Sequence, residues 1–89
     1  MEQRKKKKAY KKGLVFVTFK QGVGPEEARA LIKNFQLKIK EDRGVADKKV
    51  LLVVEVASGR EQKWVDKFPR LKKNPIVESA ERIPVLDIH

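Results

Sequence analysis

The spacing of apolar residues changes period several times along the chain. Residues 14–20, LVFVTFK, are β-branched and aromatic and lie between Gly13 and Gly22, which predicts a strand. Residues 24–35, GPEEARALIKNF, switch to a helical period, with Ala28, Leu31, Ile32 and Phe35 on one stripe. Pro25 suits the first helical position, and Glu26 and Glu27 fall in the first turn, where the helix dipole favours acids. Residues 37–41, LKIKE, alternate apolar and charged as a half-buried strand does, and DRGVAD after them reads as a turn cluster. Residues 48–56, KKVLLVVEV, form a long and mostly apolar strand. A second helix follows in SGREQKWVDKFPRLKK, where Ser58 and Glu61 have capping-box spacing and Trp64, Val65, Phe68 and Leu71 form the stripe to be buried. Pro69 removes an internal helix hydrogen bond and predicts a kink or a tightened last turn there. Asn74 and Pro75 mark a turn before a last strand over residues 76–82.

Strand, helix, strand, strand, helix, strand is the order of a ferredoxin-like α+β sandwich. The fold expected is a βαββαβ unit: a four-stranded antiparallel sheet with two helices on one face. The first and third strands, the most apolar, are expected to be its central pair and to run parallel to each other. The more polar second and fourth strands belong at the edges. Two helices cover only one face of such a sheet, yet both alternating sets of the central strands are apolar. One set must therefore lie on the uncovered face. Glu55 shares a face with Leu51 and Val53, so these three are the candidates for sheet-face contact. An exposed apolar sheet face marks a binding surface, unless the tail or a second copy of the chain covers it.

Charge adds a second feature. The 89 residues carry a formal net charge of +10. Arg4, Lys5, Lys6, Lys7, Lys8, Lys11 and Lys12 face a single acid, Glu2, so the first twelve residues hold six of those ten units. Residues 1–12 thus read as a basic, disordered arm, a candidate for binding anions such as nucleic acid without specificity. Residues 13–84 are the expected domain. Residues 85–89 are an extended tail, since Pro84 forbids helix continuation and pushes Ile83 into an extended conformation. The order of basic arm and apolar run imitates a signal peptide, but the run stops at Lys20 without a small-residue cleavage site and is too short to span a bilayer. A cytosolic chain without a membrane span is the expectation.

Composition excludes much chemistry. There is no cysteine, and the one histidine is His89, so disulfides, thiol catalysis and Cys/His zinc sites are absent and a catalytic triad is not expected. KQGVGPEE lacks the spacing of a phosphate-binding loop, and Glu26 and Glu27 are helix-start acids rather than a catalytic dyad. VLLVVEV has no aromatic residue, and Phe16 and Phe19 fall on opposite faces, so the base-stacking platform of an RNA reader on this fold is missing. No enzyme, metal or cofactor is expected.

Three segments carry a family resemblance. LVFVTFKQGVGPEEARALIKNF resembles the opening of subtilisin-type propeptides, where a strand ending in Phe-Lys leads through a glycine turn into an acidic helix start. VVEVASGREQKWVDKF resembles their third strand and second helix, and NPIVESAERIPVL their closing strand and extended tail. The resemblance covers about residues 14–86. It implies a ferredoxin-like fold and a role as chaperone or inhibitor of a subtilisin-like serine protease, here as a free-standing relative. By that resemblance the sheet face packs on two surface helices of the protease, and Glu81 is the acid that caps their N-termini. Val85, Leu86, Asp87, Ile88 and His89 would enter the substrate cleft like a cleaved product, with His89 facing the primary specificity pocket.

Two other readings stand beside this one. In one the tail is structural, extending the edge strand or packing beneath the sheet, and the open face pairs two copies of the chain in a homodimer. In the other the lysine-rich arm makes the chain a nucleic-acid-binding accessory protein.

Overall fold

The computed structural model describes residues 10–85. In chain order the elements are β1 (Tyr10–Phe19), α1 (Pro25–Asn34), β2 (Lys38–Ala46), β3 (Lys49–Glu55), α2 (Glu61–Lys67) with a 3-10 turn at Phe68–Arg70, and β4 (Val77–Pro84). One four-stranded sheet has the order β2-β3-β1-β4. This is the expected α+β architecture, consistent with a ferredoxin-like βαββαβ fold.

The central pair is antiparallel, not parallel: Leu14 lies opposite Glu55 and Thr18 opposite Leu51. Topology gives the reason. Each strand–helix–strand crossover skips one position in the sheet, so the parallel partners are β1 and β2, and β3 runs back between them. Antiparallel neighbours also join β1 to β4 and β2 to β3.

α1 forms where the sequence places it. Pro25 opens the helix after Gly24, Glu26 and Glu27 occupy the first turn, and Lys33 the last. Ala28, Leu31 and Ile32 are buried against the sheet, with Phe35 half-buried at the end. α2 is short because Pro69 cannot supply an internal N–H, and the chain tightens there into the 3-10 turn. Phe68 is fully buried at that junction, edge-on to Phe35 at 5.8 Å and close to Trp64 at 5.3 Å between ring centres. Val15, Val17 and Phe19 of β1 meet Val50, Leu52 and Val54 of β3 under these helices, which makes one core.

Four boundaries differ from the sequence pattern. β1 starts at Tyr10, so Lys11 and Lys12 are strand residues rather than part of a free arm; a bulge at Gly13, with φ +74°, lets the strand bend and continue. β2 runs on through most of DRGVAD to Ala46, because register shifts within it absorb the glycine (Gly44, φ +80°) as bulges. The hairpin turn is instead Asp47–Lys48, both at positive φ, between the Ala46–Lys49 pair. The Ser58 capping box does not form: Arg60 is the residue before α2, without a side-chain cap, and Glu61 is directed elsewhere. β4 reaches Pro84, which pairs with Tyr10 and is tolerated because β4 is an edge strand.

Candidate protein-docking face

Alternation along β1 and β3 decides which residues face away from the helices. Val15, Val17 and Phe19, with Val50, Leu52 and Val54, belong to the core beneath α1 and α2. The intervening Leu14, Phe16, Thr18, Leu51, Val53 and Glu55 therefore occupy the opposite, helix-free face. Across its middle runs a row of four neighbours: Glu41 on β2, Val53 on β3, Phe16 on β1 and Glu81 on β4. Val53 is only 1% exposed although no helix lies over it, Leu14, Phe16 and Leu51 are half-buried, and Glu55 is exposed. An apolar centre with acids at both ends is the character of this face.

Arg43 closes one side of it. Its guanidinium carbon sits 5.9 Å from the centre of the Phe16 ring, and its Nε lies 3.4 Å from a Glu41 carboxylate oxygen. With Arg82, Ile83 and Pro84, the residues Phe16, Arg43 and Glu81 line a shallow groove of about 200 Å³. Glu81 stands exposed at the edge, opposite Phe16. Val85, 45% exposed, leaves the sheet directly after β4 on the same edge. Leu86, Asp87, Ile88 and His89 lie outside the described residues, as do Arg4, Lys5, Lys6, Lys7 and Lys8; Lys11 and Lys12 are exposed on β1.

The groove end of the sheet is held by a contact that the sequence pattern does not announce. Glu61 is 4% exposed, and its carboxylate accepts the Gly13 N–H at 2.5 Å and the Gly59 N–H at 3.1 Å. The guanidinium of Arg82 lies 3.9 Å from the same carboxylate and stacks over the Tyr10 ring at 4.6 Å. Hydrogen bonding from the Gly13 backbone, above all, holds the Glu61 carboxyl below its ordinary value of 4.5. On β2, the Arg29 side chain and then the Gly44 N–H hold Asp42 below its ordinary 3.8. The available hints were Gly13 at the end of the lysine run and an acid at a helix start, both of which have commoner explanations.

Among the described residues no three His, Cys, Asp or Glu side chains gather where a metal ion could sit, and no helix is long and apolar enough to cross a membrane. No family model, curated protein or solved structure matches the chain.

Proposed function

We propose that the chain is a protein-binding module of the subtilisin-propeptide kind, inhibiting or assisting the folding of a subtilisin-like serine protease. The supporting observation is the helix-free face: Phe16 and Val53 form an apolar centre, Glu81 stands beside Phe16 at the edge, and β4 leads from that edge to an exposed Val85. An apolar sheet of this kind buries well against the surface helices of a partner. An exposed carboxylate at its rim suits the N–H groups at a helix N-terminus. A tail issuing from the same edge can add to a cleft as a strand, with its ordering cost lowered because β4 already holds its root extended.

The test is a titration of a broad-specificity subtilisin with the full chain and with a chain ending at Pro84, which keeps β4 whole. Stoichiometric inhibition by the full chain and none by the folded, shortened chain supports a product-like tail. Digestion of both without inhibition removes the reading. A mass that doubles with concentration in the absence of protease, abolished by Phe16→Asp, would instead assign the face to a second copy of the chain.

A further inference from the structure

On the opposite side of the molecule, the helix α2 and the turn after it carry a row of cations with no assigned role. Arg60, Lys63, Lys67 and Arg70 follow one another at intervals of three, four and three residues, which puts them on one side of the helix. All four are exposed, as are Lys72 and Lys73 just after the turn. Among the described residues, the acids of this segment form no ion pair with it. Glu61 is turned inward to Gly13, and the Asp66 carboxylate accepts a hydrogen bond from the Gln62 amide at 3.2 Å. The ion pairs among the described residues involve Arg29, Arg43, Lys49 and Arg82, and none of these six cations. The row is also placed rather than loose. The Lys67 ammonium lies 5.1 Å from the ring centres of both Phe35 and Trp64, and that of Lys63 lies 5.7 Å from Trp64.

We infer that this row is a nucleic-acid backbone site. Ten residues of helix and 3-10 turn span roughly 16 Å. Along the duplex axis each strand presents a phosphate about every 3.4 Å, so a row laid along that axis spans about five phosphate levels. An acidic protein seldom offers a continuous line of charge at that density, whereas a phosphate backbone always does. The half-buried Trp64 is occupied by its neighbours Phe35 and Phe68, so the site reads phosphates and not bases. The face used is distinct from the helix-free sheet face, so the two sites can act together or be lost separately.

The experiment measures binding of the full chain to a fluorescein-labelled 20-base-pair duplex from 50 to 200 mM salt. It compares wild type, the combined R60Q/K63Q/K67Q/R70Q variant, and a charge-matched control, K20Q/K38Q/K40Q/K48Q, with folding checked by circular dichroism. The row variant is expected to bind at least tenfold more weakly at 50 mM salt, and the slope of log K against log salt is expected to fall by about 3 to 4. The control is expected to lose clearly less. Equal losses in both variants would overturn the site in favour of net charge. An unchanged row variant whose binding disappears on deleting residues 1–9 would overturn it in favour of the arm. Equal binding of polyglutamate at the same salt would overturn the nucleic-acid assignment in favour of an acidic protein.

Discussion

The Glu61 carboxylate accepts the backbone N–H of Gly13 at 2.5 Å across 48 positions of sequence, tying the start of α2 to the bulge in β1. With Arg82 close by, this contact joins one helix and both strands of the β1–β4 pair. It holds the end of the sheet where the groove lies and from which Val85 departs.

The contact makes stability depend on acid. Because the folded state lowers the Glu61 pKa, the folded protein binds fewer protons than the unfolded chain, so stability rises with pH in that range. The contribution is fully present above the ordinary value of 4.5 and is lost as pH falls through the lower folded value. Asp42 acts in the same sense from its ordinary 3.8 downward. Glu61→Gln is expected to lower Tm at neutral pH and to flatten the fall of Tm between pH 5 and 3. Thermal unfolding at several pH values checks this; an unchanged pH profile would show that the carboxylate is not the group responsible.

Gly13 is constrained by conformation and by space. Its φ is +74°, and a Cβ built there would stand 3.1 Å from the carbonyl oxygen of Val56, a residue held in place by its N–H donating to the Gly13 carbonyl at 2.8 Å. Gly13→Ala should cost about 1–2 kcal/mol. The same substitution at Gly24, which has negative φ and open space, should cost clearly less. Chemical denaturation of the two variants distinguishes them.

The two faces of the sheet should respond differently to truncation. Phe68 is fully buried beneath the helices, and Phe68→Ala should cost roughly 3–5 kcal/mol, a large part of the stability of so small a domain. Phe16 is half-buried on the open face, so Phe16→Ala should cost about 1–1.5 kcal/mol. It should also abolish protease inhibition, if the face docks as proposed. Equal stability losses for the two variants would contradict the packing described.

The Asp47–Lys48 turn carries backbone strain at Lys48. Both residues have positive φ, 52° and 64°; aspartate tolerates that conformation, whereas glycine is favoured where Lys48 stands. Replacing the pair by Asn-Gly is expected to raise stability by about 0.5–1 kcal/mol. A calorimetric Tm is the measurement, and a lower Tm would show that Lys48 contributes more than its backbone shape costs.

Element order, the stripes of α1 and α2 and the choice of edge strands follow from apolar periodicity, because burial of one face is a local property of spacing. The shortened second helix follows from Pro69, because a missing N–H acts where it stands. Other features required the folded chain. β2 runs on through DRGVA to Ala46 because the neighbouring β3 supplies ladder partners to residues that alone favour a turn. Glu61 abandons the capping geometry of Ser58 because the bulge at Gly13 brings it an unpaired N–H. Arg43 lies over Phe16 only because the sheet places their strands near each other. Spacing within the sequence determined the elements and their buried sides. Long-range pairing decided register, the bulges and which polar groups meet, because those depend on partners brought together from distant parts of the chain.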